Sequence, residues 1–540
     1  MKGTKILLTD ELHFHTRNFG ELFSFFEKNS FEVRNAKAPK DWISLYGNYF
    51  VKSAELRPTV LELARLNQED LFLYSYKGIN LFETARMEFL AFVIAKPAWK
   101  SFDISKGRRY VFNHAIKCDY DSLLHNLAAV IHWIDWWEKK IKDVGIHHFC
   151  CIFSGSLIYG NSLIQILKKH SMKPLVMESF FTGNEFYMEC IYRHIPNNSD
   201  LKFKNFYDSL DVPVDANLYD RERLKSINKI SGAKNKNVTQ PVCFDLFEFD
   251  NDRKTILILG QVLNDFSLLG NDGVNSLLLY KRLISDVLSN TDFNLIFKAH
   301  PWEKNKIGIG RDMTREEIEI FVAENFSDNG SRIKMFSDYN INSIFEQSDY
   351  VVTICSQSAI EAAFNGFKPI LVADAFFGRK GFTYELVDES LSGFLSCDPA
   401  GVLSLKEFDF FEEFCVKVFS SHLVCVNPSG SIRLRDIFSR LPPISLVQSK
   451  SSSLLDEKLK QENPPTLESV PVFSAAEEKV SVSTFNDTAN VETEEVLTCH
   501  SEIGVLSRKS RLIRKLKNNP HDFFADSSYS MVRIFRLLFK

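Results

Sequence analysis

The chain lacks the features that would place it inside a membrane or in an oxidising compartment. Nowhere does it hold an apolar run of about 18 residues, the length that a membrane-spanning helix needs. The opening stretch MKGTKILLTDELHFHTR has an apolar run of only three residues, so we expect no signal peptide there. The ten cysteines include no C-x-x-C pair, which favours a reduced, cytoplasmic protein.

An excess of charge of one sign is missing too. The formal net charge is −4 over 540 residues, so composition gives no reason to expect a nucleic-acid partner. Hydrophobic residues make up 45% and charged residues 25%, as in ordinary soluble globular proteins. The length leaves room for two or three domains, each with its own core.

What is present is a β-α-β pattern over residues 255–301. A buried strand is predicted at 255–259, an amphipathic helix covers SLLLYKRLISDVLSN, and a second strand follows at 295–297. The first strand runs into a loop with Gln261 and Asp265. The second ends in Lys298, His300 and Pro301. Because ligands of open parallel sheets bind beyond the carboxyl ends of the strands, we expect Asp265 and His300 in one crevice.

The amino-terminal part repeats this alternation. Strands are predicted at 5–9, with Asp10 just after it, at 149–153 and at 174–177. Glu178 follows the last of these, so its carboxylate should face the crevice as well. A helix is predicted at 128–145, and we interpret its tryptophans as core rather than as a sugar platform.

The carboxyl-terminal end of the second half carries polar residues on a loop and a helix start. Ser358 and Glu361 fit a capping box, which predicts a helix beginning there. Capping alone explains them, but with Ser356 and Gln357 the same turn also has the backbone N–H groups of an anion site. The two interpretations are compatible. Arg379 and Lys380 lie between two glycines, either as a mobile basic loop near the same edge or as a surface turn.

Composition divides the chain into four segments. We predict an α/β half at 1–235, a second at 236–440, a disordered acidic linker at 441–505 and a basic amphipathic tail at 506–540. The polar stretch 228–240 is the predicted connection between the halves. Two Rossmann-type domains with a cleft between them form the GT-B-like α/β arrangement of many sugar-nucleotide transferases. That fold would not by itself fix a function.

Several stretches resemble the capsule polysaccharide biosynthesis family, which includes retaining transferases that move β-Kdo, an acidic eight-carbon sugar, from CMP-Kdo. They are the loop GQVLND, the strand end FKAHP and the run TICSQSAIEAAFNGFKPILVADAFFGRKGFTYEL. The positions that match the family's pattern are Gln261, Asp265, Lys298, His300, Pro301, Ser356, Glu361, Ala362, Gly366, Pro369 and residues 378–381. Glu178 matches the family's carboxylate at the end of an amino-terminal strand, although ESFFTGNEFY departs from the common version there.

The resemblance implies a role for each group. Asp265 takes the position of the nucleophile that forms a covalent glycosyl intermediate, with capping of the following helix as its alternative. Lys298, His300 and the turn after Ser356 would stabilise the leaving phosphate, although His300 can also be a turn residue held by Pro301. Glu178 would serve as a base for the acceptor hydroxyl or orient the sugar. Arg379 or Lys380 would pair with the sugar carboxylate.

A metal-dependent transferase is the alternative chemistry. Two D-x-D triplets occur, at 119–121 and 250–252, but such short patterns arise by chance in a chain this long. The histidines of 13–15 and 147–148 come without a matching ligand set, so we interpret them as structural. The expectation is therefore a CMP-sugar donor and no cofactor.

The predicted partners are the CMP-sugar and a bacterial surface glycan or glycolipid acceptor, of capsule or lipopolysaccharide O-antigen. The basic amphipathic tail predicts docking on an anionic membrane surface or on an assembly partner, at the inner face of the cytoplasmic membrane. Two other functions stay open: a transferase of the same fold with another nucleotide sugar, and a non-catalytic glycan-binding or scaffold subunit.

Overall fold

A computed structural model describes residues 3–145, 148–170, 172–232, 241, 247, 249–270, 273–386 and 389–440. The predicted linker at 441–505 and tail at 506–540 lie outside the described residues, as does most of the connection at 228–240. Within the described ranges no helix is both long enough and apolar enough to cross a membrane.

The described strands alternate with helices along most of the chain. The strands are β1 Lys5–Leu8, β2 Glu32–Asn35, β3 Ser75–Tyr76, β4 Ile79–Asn80, β5 Phe149–Phe153, β6 Lys173–Ser179, β7 Glu185–Glu189, β8 Thr255–Leu259, β9 Asn294–Lys298, β10 Ile333–Phe336, β11 Tyr350–Thr353, β12 Ile370–Leu371, β13 Tyr384–Glu385 and β14 Val424–Cys425. The predicted strands at 149–153 and 255–259 are confirmed to the residue.

Helices cover both faces of the strands. They are α1 Thr16–Lys28, α2 Lys40–Ile43, α3 Ser53–Leu63, α4 Gln68–Leu73, α5 Leu81–Val93, α6 Pro97–Lys100, α7 Arg108–Cys118, α8 Tyr120–Val144, α9 Ile158–Lys169, α10 Lys204–Asp208, α11 Ala216–Ser231, α12 Ser276–Asn290, α13 Met313–Asn325, α14 Ile341–Phe345, α15 Ser358–Phe364, α16 Leu391–Ser396, α17 Leu405–Val416 and α18 Gly430–Arg440. Trp133 and Trp137 of α8 are fully buried, which confirms the core interpretation.

The first sheet has the order β14-β7-β6-β5-β1-β2. Its centre is parallel, with Leu8 opposite Cys151 and Phe153 opposite Met177. These strands are apolar nearly throughout because helices cover both faces of a parallel sheet. The carboxyl ends of β1, β5 and β6 consequently lie side by side, which brings Asp10, Ser154 and Glu178 to one edge.

The second sheet has the order β10-β9-β8-β11-β12-β13 and is parallel throughout. The strands β8 and β9 are joined through α12, so the predicted β-α-β unit is confirmed. Two Rossmann-type halves are present, and the predicted GT-B-like class is confirmed.

The end of the described chain differs from the prediction, which assigned all of 236–440 to the second half. Val424 pairs with Phe186 of β7, and α18 follows directly. Phe438 of α18 stacks on Phe25 with ring centroids 5.7 Å apart and meets Phe149 edge-on. Burial of this aromatic face against the first sheet explains why the chain returns there.

Side chains of one half bind backbone atoms of the other. Asn275 donates from Nδ2 to the Trp99 carbonyl at 2.8 Å, and Asn197 donates from Nδ2 to the Asp374 carbonyl at 2.8 Å. Asn264, in the loop that carries Asp265, donates to the Ala91 carbonyl at 3.2 Å. The three contacts join the two halves, and the one from Asn264 holds the loop after β8 against the first half.

Candidate active site

The loops that end the central strands of both sheets meet around two carboxylates. Glu178 ends β6 in the first half, and Asp265 follows β8 in the second. Asp265 is close enough to both Glu178 and His300 to act on them electrostatically: its negative charge adds to the desolvation that raises the pKa of Glu178 and opposes the desolvation that lowers the pKa of His300. The structure therefore brings together Asp265, Glu178 and His300, as the strand-end argument predicts.

Glu178 is a carboxyl group whose charge is poorly stabilised. Loss of solvation raises its pKa to about 7, the nearby charge of Asp265 adds to this, and a hydrogen bond from Ser154 with the charges of His13 and Lys306 opposes it. Glu178 thus keeps its proton to a higher pH than an ordinary glutamate does.

Ser154 owes its position to a tight turn after β5. Its φ is +58° and that of Gly155 is +76°. A Cβ on Gly155 would lie 2.8 Å from Ile164 Cδ1 and 3.1 Å from His194 Cα, so only glycine fits. This turn points the Ser154 hydroxyl towards Glu178. It requires a left-handed backbone conformation at Ser154, which is unfavourable for a serine.

Asp265 caps the short 3-10 helix Phe266–Leu268. One carboxylate oxygen accepts a hydrogen bond from the Ser267 backbone N–H at 2.9 Å. The capping interpretation is therefore correct as far as it goes. It accounts for one oxygen, and Asp265 is still close enough to Glu178 and His300 to change the pKa of both.

Gln261 is buried and braces the loop. Its side-chain oxygen accepts from the Cys355 backbone N–H at 3.0 Å, and its side-chain nitrogen donates to the Ser267 hydroxyl at 3.3 Å. It joins the turn after β11 to the residue that binds Asp265. The structure gives Gln261 a supporting role, and contact with a donor stays a prediction.

His300 follows β9 and is a neutral ring. Desolvation lowers its pKa to about 4. Its Nδ1 accepts from the Trp302 backbone N–H at 3.2 Å, beyond Pro301 in the turn. Since a neutral imidazole carries one proton, Nε2 holds it and is a hydrogen-bond donor.

Lys298 is buried against backbone oxygen atoms. Its ammonium donates to the Ser337 carbonyl at 2.7 Å and to the Ala299 carbonyl at 3.0 Å, and desolvation lowers its pKa to about 8. Two of its three donors are therefore used inside the second half. Contact with a donor phosphate stays a prediction for Lys298.

The turn after β11 begins a helix at the predicted residue, Ser358, but the predicted capping box is wrong. The N-cap is Gln357, in a helical conformation that makes no side-chain cap. Instead the Ser358 side chain binds Glu361 directly, and desolvation raises the pKa of Glu361 to about 7. Ser356 Oγ accepts from the Ser358 N–H at 3.3 Å. The helix has only seven residues, so its dipole adds little to anion binding.

The glycine-flanked basic loop differs from the prediction at Lys380. This side chain is buried, with its ammonium 4.3 Å from the centre of the Tyr207 ring, and desolvation lowers its pKa to about 8. Arg379 is exposed, has a φ of +58° and lies 3.5 Å from Asp374. Packing against an aromatic ring of the first half fixes Lys380 in a way that local sequence does not show.

Two groups at the site were missed by the sequence reasoning. His13, interpreted as structural, lies near Glu178, and in its protonated form it lowers the pKa of that carboxyl. Lys306 does the same, and within the described ranges its ammonium has no hydrogen-bond or ion-pair partner. The signal for His13 was its position, three residues after Asp10 at a strand end. Lys306 lies in a loop of charged residues and gave none.

The first D-x-D triplet, at 119–121, forms the start of α8. Asp119 binds Lys96 and accepts from Trp99 Nε1, which ties it to the helical layer of the first half. Among the described residues no group of three or more histidine, cysteine, aspartate or glutamate side chains could hold a metal ion.

Comparison with known proteins confirms the resemblance over part of the chain. Residues 225–392 match the family described as "Capsule polysaccharide biosynthesis protein". That range contains Gln261, Asp265, Lys298, His300 and Glu361. No curated protein gives a match.

Solved structures show distant similarity. The β-Kdo 2,4 transferase of Thermosulfurimonas dismutans KpsC is 14% identical with a TM-score of 0.36, over 52% of this chain and 82% of that one. The β-Kdo 2,7 transferase of the same KpsC is 12% identical with a TM-score of 0.34, over 56% and 89%. An S. aureus MnaA–UDP structure is 10% identical with a TM-score of 0.31, over 81% and 96%. Similarity of this size carries no argument about substrate.

Proposed function

We propose that this chain, whose residues 225–392 match the capsule polysaccharide biosynthesis family, is a retaining glycosyltransferase that moves Kdo from CMP-Kdo to a bacterial surface glycan. The observation that carries the proposal is the meeting of Asp265 and Glu178 from the two halves, beside His300. A retaining transfer through a covalent intermediate needs a carboxylate nucleophile at the sugar and a second group that manages protons.

In the first step the Asp265 carboxylate attacks the anomeric carbon. The bond from that carbon to the CMP phosphate breaks, CMP leaves with the electron pair, and the sugar is held as an ester of Asp265. The Ser267 N–H and the brace through Gln261 fix the carboxylate in place before the donor binds. Such preorganisation lowers the barrier because little needs to move at the moment of reaction.

His300 and Lys306 supply the positive side of the site. The neutral ring of His300 donates from Nε2 and does not need to be charged to stabilise the phosphate oxygen. Lys306 brings a full charge, and in the described part of the chain its ammonium makes no hydrogen bond or ion pair. Together they favour a donor with an anionic leaving group.

Glu178 suits an acidic sugar. A carboxyl with a pKa of about 7 is largely protonated below neutral pH, so it can face a sugar carboxylate without like-charge repulsion. The same carboxyl would be ionised and repulsive if it were solvated like an ordinary glutamate. This supports Kdo, which carries a carboxylate, over a neutral hexose.

The test compares nucleotides and then donors. The full chain is heated with CMP, UDP or GDP, and we expect CMP to raise the unfolding temperature most. Incubation with CMP-β-Kdo is then expected to release CMP, whereas UDP-N-acetylglucosamine releases no UDP. Preference for UDP would point to a transferase with another nucleotide sugar, and release of no nucleotide from any donor would favour the non-catalytic glycan-binding subunit.

A further inference from the structure

A second carboxylate at the edge of the first sheet is organised quite differently from Glu178. Asp10, just after β1, is fully buried and accepts four hydrogen bonds: from the Thr9 hydroxyl at 2.9 Å, the His13 N–H at 2.7 Å, His13 Nδ1 at 3.1 Å and the Tyr159 hydroxyl at 2.9 Å. Four donors hold the carboxylate in its charged form, and the pKa of Asp10 is below its ordinary value despite burial.

Asp10 sets the tautomer of His13. An ionised carboxylate only accepts hydrogen bonds, so the proton of the ring lies on Nδ1, towards Asp10. The lone pair is then on Nε2, at the opposite edge of the ring. In the part of the chain that the structure describes, Nε2 has no hydrogen-bond partner. A ring held this way presents an unshared electron pair at its outer edge.

The His13 ring also has a fixed plane next to the reacting groups. It stacks on Phe153 with ring centroids 4.2 Å apart and planes 4° from parallel. Phe153 ends β5, and the next residue, Ser154, binds Glu178. Because His13 stacks on the residue that precedes Ser154, and Ser154 binds Glu178, His13 and Glu178 lie at the same sheet edge.

A purely structural role explains the arrangement poorly. Tyr159 and Thr9 alone would satisfy one oxygen of Asp10, and the His13 N–H would satisfy the other. The hydrogen bond from His13 Nδ1 to Asp10 is therefore not required to satisfy the buried carboxylate. A structural role also does not explain why the Nε2 edge of the ring is left without a hydrogen bond among the described residues.

We propose that His13, positioned by Asp10, is the base that activates the acceptor in the second step of the transfer; this rests on the proposed function. The acceptor oxygen attacks the anomeric carbon of the glycosyl ester, and the bond to Asp265 breaks. The acceptor proton passes to His13 Nε2, and the imidazolium that forms is stabilised by the Asp10 carboxylate. Asp10 is a positioning residue and keeps its charge throughout. Glu178 is then left to face the sugar.

The experiment needs no knowledge of the acceptor, because water can take its place. The full-length wild type and His13→Gln are mixed with CMP-β-Kdo alone, and CMP is followed in time. The wild type is expected to release CMP continuously. His13→Gln is expected to release one burst of about one CMP per enzyme and then to slow by about 10²-fold or more, since the sugar stays on Asp265.

Azide separates a base from a structural residue. As an anion it attacks without losing a proton, so it should restore turnover of His13→Gln and give glycosyl azide. His148→Gln is the matched control, because His148 Nδ1 accepts from the Lys5 N–H at 2.7 Å at the other end of the sheet. It should behave as wild type.

Three results would each overturn the assignment of His13 as the base. Steady turnover of His13→Gln at the wild-type rate overturns the assignment of the base and leaves the proposed function standing. Loss of the burst as well, without rescue by azide, also overturns it, because His13 would then be needed before the second step or for folding. A wild type that releases no CMP overturns the proposed function and, with it, the role of His13.

Discussion

The two sheet edges that meet at the site hold carboxylates of opposite design. Asp10, at the edge of the first sheet, is buried and accepts four hydrogen bonds. Asp265, at the edge of the second, is only partly buried, and one backbone N–H holds it. A carboxylate with all its acceptor positions filled can orient a neighbour but cannot attack. One with free lone pairs can.

Glu178, also at the edge of the first sheet, differs from Asp10 in its hydrogen bonds. It receives one hydroxyl hydrogen bond, and desolvation raises its pKa to about 7. Burial alone therefore does not set the protonation state of these two carboxyls, because Asp10 is buried as well and its pKa is lowered. We infer that His13 and Asp10 of the first edge handle the acceptor and its proton, that Glu178 of the same edge faces the donor sugar, and that the second edge supplies the nucleophile.

The largest effect is expected at Asp265, and the contrast between the two carboxylates would be wrong if Asp265 were dispensable. Asp265→Asn keeps the shape and the cap on the Ser267 N–H but removes the nucleophile. We expect kcat to fall by more than about 10³-fold, measured as CMP release from CMP-β-Kdo. Asp398→Asn, at an exposed carboxylate of the same half that pairs with Lys254, is the control and should stay within a few-fold. Equal rates for both variants would remove the nucleophile from the account.

A second prediction concerns the contribution of Lys306 to binding of the donor. Lys306→Gln removes a positive charge whose ammonium has no ion-pair partner among the described residues, so binding of the anionic donor should weaken. We expect KM for CMP-β-Kdo to rise about tenfold with kcat little changed. Lys304→Gln serves as control, because its ammonium already pairs with Asp338 at 2.9 Å. A similar rise in KM for both would indicate a general effect of surface charge.

The pKa of Glu178 predicts a pH dependence of donor binding. Below about pH 7 its carboxyl is mostly protonated, and above that it ionises in front of an anionic sugar. KM for the donor should therefore rise by several-fold between pH 6 and pH 8 in the wild type. Glu178→Gln stays neutral, so its KM should change much less over that range. The neighbours His13, Asp265 and Lys306 are unchanged in the variant, and an identical pH profile would assign the titration to one of them.

The smallest effect on activity is expected at Glu88, a buried carboxyl that binds the backbone at the start of α9. Burial raises its pKa from 4.5 to about 7, while Gly47 and Ile158 donate to it from the backbone. The folded state thus binds more protons than the unfolded state between these values, so this group makes stability fall as pH rises from about 4.5 to about 7.

The measurement for Glu88 is unfolding by denaturant at pH 5 and pH 8. Glu88→Gln should reduce the loss of unfolding free energy between the two by about 1–3 kcal/mol, with CMP release unaltered. Glu69→Gln, an exposed partner of Arg109, is the control. An unchanged slope would show that Glu88 titrates normally in the folded protein.

Much of the fold follows from local pattern. The strand at 255–259 is an apolar run between Lys254 and Gly260, which leaves few alternatives, and the structure agrees to the residue. The return of Val424–Cys425 to the first sheet was not predictable in this way. A strand of two residues has no measurable period, and its partner at Phe186 is far away along the chain.

The candidate site divides along the same line. Asp265, Glu178 and His300 come from strand ends, which topology alone brings together. The burial of Lys298 depends on the Ser337 carbonyl in a loop of another strand, and that of Lys380 depends on Tyr207 in the other half. The role of His13 could not be predicted because it depends on Tyr159 and Glu178, which are distant along the chain and become its neighbours only in the folded protein. Such contacts exist only after folding.

The central claim is that Asp265, at the edge of the second sheet, attacks the donor and forms a covalent glycosyl ester. It has one direct test. The wild type and His13→Gln are mixed with CMP-β-Kdo without acceptor, quenched in acid and digested, and the peptides are weighed by mass spectrometry. The account predicts one sugar on the peptide that contains Asp265, at higher occupancy in His13→Gln and absent in Asp265→Asn. Steady release of CMP with no sugar on that peptide in either enzyme would contradict it.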